Sequence, residues 1–211
     1  MEIKNFKDKH KDQRCFLIGT GPSLDNVDVS LLDNEITLGM GRVMLHPKLH
    51  LKYYCVEGER TVNAIHFDIW NLECDAKFIP YRYASMDFGD TTVSVNFPHF
   101  PKKIPNFSFD CAEVVYWGCN VLYMALQLAT YMGCNPIYLI GIDWFKSDKD
   151  MTKHFHGSGI IKEYDPPNLH TQNICMAHAA HVLKDHGVQV YNLCPTSHLK
   201  LFPFKSISDI P

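Results

Sequence analysis

An α/β domain, with a mostly parallel sheet flanked by helices, is what this sequence predicts, and three observations predict it. Short apolar runs that stop at turn-forming residues alternate with segments of helical period. The first run, "CFLI" at 15–18, has no polar position, as in a strand covered on both faces. The chain has 211 residues, 46% hydrophobic and 20% charged, enough for one sizeable core and close to the usage of folded proteins. The domain is expected over 15–202, with 1–14 as an N-terminal extension and 203–211 as a C-terminal tail.

After the first strand comes the turn Gly19-Thr20-Gly21-Pro22-Ser23, and "NVDVSLLDN" then reads as a short helix begun near Asp28 and ended at Asn34. "EITLGMG" and "LKYYCVEG" follow as strands, each closed by glycine. Val62, Ile65, Ile69 and Leu72 recur at helical spacing, so "ERTVNAIHFDIWNLE" is an amphipathic helix. "AKFIPY" and "TTVSVNF" have the β-branched content of strands. Pro98, Pro101 and Pro105 exclude regular helix or a central strand from 97–110, whose phenylalanines suit a loop packed on the domain or covering a site. Asn120 caps the next helix, which runs to Met132; Gly133 takes the left-handed position, and Pro136 prevents continuation before a strand at Ile137 to Ile140. That helix is apolar nearly all round and is expected to lie between the sheet and another layer. The polar stretch 145–169 is a long loop of the kind that carries function. Thr171 then caps a helix stopped by Gly187, and "VQVYNL" supplies the last strand.

Composition removes several classes of function. A net charge of -3 leaves no chain-wide footprint for nucleic acid, and no internal repeat points to a solenoid or propeller. The apolar runs are too short for a bilayer span and "MEIKNFKDKHKDQR" lacks the apolar core of a signal peptide, so a soluble, cytoplasmic protein is expected. The C-terminal "HLKLFPFKSISDIP" suits docking either on the domain or on a membrane-bound partner. Eight cysteines show no CxxC pair or zinc-ribbon spacing, and most lie in apolar segments, as reduced core thiols do.

Three places can carry chemistry. Gly19, Thr20, Gly21, Pro22 and Ser23 stand at the carboxyl end of a buried strand, where open α/β sheets bind ligands and glycine lets backbone N–H groups approach a phosphate. The loop lacks both the third glycine of GxGxxG and the lysine of a P-loop. Asp143, directly after "IYLIG", can hold a ribose hydroxyl, a metal or a substrate amine, or cap a turn. Asp148 and Asp150 in "DKD" imitate a metal-binding carboxylate pair, but Lys146, Lys149 and Lys153 around them favour a solvated charge run. His154 and His156 in "KHFHG" offer a general base, which needs one imidazole, more readily than a metal site, which needs further ligands.

The ordered set "GTGPSLDNVDVSLL", "NEITLGMGR", "YYCVEGER", "VVYWGCNVLYMALQLATYMGCNPIYLIGIDW" and "HFHG" resembles the 6-hydroxymethylpterin diphosphokinase-like family. It is similar, more distantly, to the bacterial sialyltransferases of glycosyltransferase family forty-two. The likeness covers about Cys15 to Phe202. It implies a single Rossmann-like sheet resembling a GT-A transferase, with a nucleotide at the first loop. On the sialyltransferase pattern the donor is a CMP-sugar bound without an essential metal, Gly19, Gly21, Pro22 and Ser23 contact the nucleotide, and His154 or His156 deprotonates an acceptor hydroxyl. On the pterin-kinase pattern the cleft takes ATP, Mg2+ and a pterin, with Asp143 as a magnesium or pterin contact. The chain departs from both patterns at Thr20 and at Gly41, beside Arg42, where the relatives often carry asparagine. It departs again at Cys119-Asn120, where a small serine or threonine pair is usual before the helix; Thr20, Arg42, Cys119 and Asn120 complete the expected nucleotide contacts.

These readings rank a nucleotide-dependent glycosyltransferase of surface polysaccharide or glycolipid assembly first and a Mg-ATP pterin diphosphokinase second. A nucleotide-binding domain without turnover is third.

Overall fold

The computed structural model describes residues 1–98, 105–144, 153–158 and 169–210. Four apolar residues in a row form strand β1, Cys15–Ile18, and all four are buried, so both faces of the strand are covered. Strands β2 (Ile36–Met40), β3 (Tyr53–Cys55), β4 (Ala76–Pro80) and β5 (Thr92–Val95) add outward from it on one side. Strands β6 (Ile137–Ile140) and β9 (Val190–Asn192) add on the other, giving the parallel order β5-β4-β3-β2-β1-β6-β9. A separate two-stranded hairpin joins β7 (Lys153–His154) to β8 (Gly157–Ser158). The chain is therefore an α/β protein with one all-parallel Rossmann-like sheet flanked by helices. Its direction of growth reverses between β1 and β6.

Side-chain alternation sorts the core into two layers. Leu17, Leu38, Tyr53, Cys55, Phe78 and Leu139 face one layer, shared with helices α2 (Val121–Tyr131) and α3 (Leu169–Asp185). Phe16, Ile18, Tyr54, Val56, Ile79 and Ile140 face the other, shared with helix α1 (Glu59–Asn71), which packs through Val62, Ile65 and Ile69 and breaks at Ile65. The expected cap of α2 is present, with Asn120 Oδ1 accepting from the Tyr123 N–H at 3.2 Å, and Gly133 follows at φ +80°. Gln127, wholly buried on that apolar helix, accepts through Oε1 from the N–H groups of Ser108 and Tyr116 and donates through Nε2 to the Tyr116 and Tyr123 carbonyls. It thereby pins the segment after the prolines to α2, the packed arrangement for residues 105–117, while 99–104 lie outside the described residues.

Two local expectations change. The segment near Asp28 makes one 3-10 turn, Val29–Leu32, capped by Asp28 Oδ1 on the Ser30 N–H, because only two of its apolar side chains have a core to enter. Thr171 is not a cap, since α3 is already under way at Leu169. The N-terminal extension, 1–14, packs on the domain. Phe6 is buried edge-on to Phe78 at 5.0 Å, and the N–H groups of Asp8, His10 and Asp12 donate to the carbonyls of Tyr131, Met132 and Gly133, which the end of α2 leaves without helical partners. Among the described residues no helix is long and apolar enough to cross a membrane.

Candidate functional site

Parallel strands present their carboxyl ends on one rim, and the crevice at the reversal point between β1 and β6 is where such sheets take ligands. The loop after β1 and the loop after β6 cross there in contact. Gly19 N–H donates to the Ile140 carbonyl and Gly21 N–H to the Gly141 carbonyl, both at 2.8 Å. Ser23 donates its N–H and its hydroxyl to the Asp143 carboxylate, the hydroxyl at 2.7 Å to Oδ2. A Cβ on Gly19 would stand 2.4 Å from Ile142 Cδ1, and one on Gly21 only 1.9 Å from Asp143 Oδ2 and 2.7 Å from the Gly141 carbonyl. These glycines are required by loop-on-loop contact. The N–H groups of Gly19, Gly21 and Ser23 have protein acceptors, and Pro22 has none to offer a phosphate.

Asp143 is likewise a tether. Besides Ser23 it receives the Cys194 thiol at 3.6 Å, and its own carbonyl accepts the His198 N–H at 2.7 Å, so it joins the ends of β1, β6 and β9. Asp148 and Asp150 lie outside the described residues.

The histidine hairpin closes over Thr20. His154 Nδ1 lies 2.9 Å from Thr20 Oγ1, and the Phe155 N–H donates to the Thr20 carbonyl at 2.9 Å. The rings of His154 and His156 stack with centroids 5.0 Å apart and 16° between planes. Burial, the neighbouring His156 and the Arg42 charge push His154 down to about 4, against the hydrogen bond at Thr20; burial and Arg42 also lower His156. Both imidazoles are therefore neutral at pH 7, as a proton acceptor must be.

Arg42 lies in the 3-10 turn Gly41–Leu45 after β2, half-buried, where Gly41 turns the chain at φ +56° and its carbonyl accepts from Tyr54 Oη at 2.8 Å. Among the described residues Arg42 makes no ion pair or hydrogen bond. His46, which ends the same turn, packs edge-on against Phe155 at 5.6 Å and has a buried Nδ1 without a partner among the described residues. Among the described residues one cation and three imidazoles thus lie on or beside the hairpin that closes over Thr20 with no carboxylate bonded to them, which is the character of an anion site.

Known protein-family models give no match to this chain, and neither does any curated protein. The site is therefore read from its own geometry.

Cys119 and Asn120 stand at the entrance of α2 but are engaged locally. Asn120 caps the helix and donates to the Gly118 carbonyl, while the Cys119 thiol, on a residue with φ +67°, is hydrogen-bonded to Cys175 of α3, a contact that with burial raises it. Sequence reasoning passed over Cys175, Cys194, His46 and Glu57. The first three look like ordinary helix or loop residues, whereas Glu57 carried a signal, a lone acid closing the apolar strand "YYCV".

Proposed function

We propose that the protein is a nucleotide-dependent transferase, sialyltransferase-like, moving a sugar from a CMP-activated donor to an acceptor hydroxyl in surface polysaccharide or glycolipid synthesis. The observation that carries this reading is Arg42, without a partner among the described residues, beside the His154–His156 pair that closes over the loop after β1. Arg42 is suited to the donor phosphate. His154 is the base in the tautomer whose Nδ1–H donates to Thr20, leaving the Nε2 lone pair for the acceptor proton. The acceptor oxygen then bonds the anomeric carbon as the carbon–oxygen bond to phosphate breaks, and the departing charge falls to Arg42. Phosphate near the rings opposes the effect of Arg42 and raises the basicity of His154 when it is needed.

The test is a thermal-shift panel of CMP, CDP, UDP, GDP and ATP, each with magnesium or EDTA. A ligand at a hundred times its Kd adds about 2.7 kcal/mol, several degrees for a chain of this size. A CMP shift that survives EDTA and weakens in Arg42→Ala supports the proposal. A shift confined to ATP with magnesium replaces it with the pterin diphosphokinase reading, and silence across the panel overturns nucleotide binding.

A further inference from the structure

Among the described residues Glu57 is the one buried carboxylate, 9% exposed. It follows β3 two positions after Cys55, so by strand alternation it belongs to the α2 side of the sheet, at the rim. Its main chain is held, because the Arg82 guanidinium and the Tyr83 hydroxyl both donate to the Glu57 carbonyl. Its carboxylate, by contrast, has no hydrogen-bond or ion-pair partner among the described residues. The charged and titratable groups around it are Arg82 and Tyr83 from the turn after β4, Cys55 beneath it and Cys119 at the entrance of α2. Burial pushes Glu57 up to about 7, only partly offset by Arg82.

Among the described residues its oxygens are not sealed, unpartnered atoms, so although most of the side chain is buried they open at the rim, where water or a ligand reaches them. With its backbone fixed and its oxygens open at the ligand rim, the carboxylate is placed to accept donors from a bound molecule. We propose that Glu57 receives the vicinal hydroxyls of the nucleotide ribose, an assignment that rests on the nucleotide reading above. The end of β3 is one strand from Arg42 and two from Thr20, about 5 and 10 Å along the rim, and a ribose is the group next to the phosphate. A carboxylate at the end of a neighbouring strand is a general acceptor for ribose hydroxyls in open α/β sheets. The assignment needs no particular base.

Isothermal titration of the full chain with CMP and 2′-deoxy-CMP, and with ATP and 2′-deoxy-ATP, tests it in the native protein, Glu57→Gln and Glu57→Ala. At about pH 8 the native protein is expected to prefer the ribose form by about tenfold or more, as for a hydrogen bond to a charged group. The preference shrinks at about pH 6, where Glu57 holds its proton. Phosphate ionisation is common to both members of a pair and cancels. In Glu57→Gln the preference falls to about threefold or less while the deoxynucleotide binds as before. Should Glu57→Ala fail to fold by circular dichroism, Glu57→Gln carries the result. Nucleotide binding with no ribose preference, an unchanged preference in Glu57→Gln, or equal weakening of both forms overturns the role of Glu57 and leaves the nucleotide reading standing. Failure of every nucleotide to bind overturns both.

Discussion

Two stretches of the same rim are built on opposite principles. At the junction of β1 with β6, the N–H groups of Gly19, Gly21 and Ser23, the Ser23 hydroxyl and the Asp143 carboxylate are all matched inside the protein. One or two strands away, Arg42 and the Glu57 carboxylate have no such match among the described residues. Satisfied polar groups hold a structure together, and unsatisfied ones near a crevice are what a ligand can complete. The glycine loop is thus the frame of the candidate site, and on the proposed reading the less conspicuous β2–β3 rim is its recognition surface.

Breaking the frame should have the largest effect. Gly21→Ala drives a methyl into Asp143 and the Gly141 backbone and is expected to cost about 3 kcal/mol or more, read from urea unfolding midpoints. Asp143→Asn turns an amide N–H2 toward the Ser23 donors and is expected to cost about 2 kcal/mol by the same measurement. Arg42→Ala sharpens the contrast from the other side. It should change stability by no more than about 0.5 kcal/mol, while the proton NMR titration midpoints of His154 and His156 move upward as the positive neighbour is lost. A loss in Arg42→Ala as large as that in Asp143→Asn would erase the distinction between frame and recognition surface.

The sign of the histidine effect also predicts acid behaviour. His154 is held below its ordinary value, so the unfolded chain binds the proton more readily. Stability tied to it is present at neutral pH and is lost as pH falls from about 6.5 toward 4, a slope that His154→Gln should flatten.

The fold was legible because its signals are local. Uniform burial of "CFLI", the Asn120 cap with Gly133, and the helical spacing of Val62, Ile65 and Ile69 each report on a few adjacent residues. The site was legible only in outline. Thr20, Arg42, His154 and His156 do come together, but which groups remain unpaired depends on contacts between residues distant in the chain. The Gly21–Gly141 bond and the Ser23–Asp143 pair turned apparent ligand contacts into tethers, and only the absence of such partners singled out Glu57.

The strand order also sets a timetable for biosynthesis. Strand β1 leaves the ribosome before the other strands of its sheet and can recruit β2, β3, β4 and β5 in turn, yet its other edge waits for β6, from Cys15 to Ile137 in sequence. Until then one side of a fully apolar strand has no neighbour, and such edges are sticky in a nascent chain. The crevice that would hold the nucleotide therefore cannot exist until β6 has emerged, and chaperone demand during translation should centre on the interval before it does.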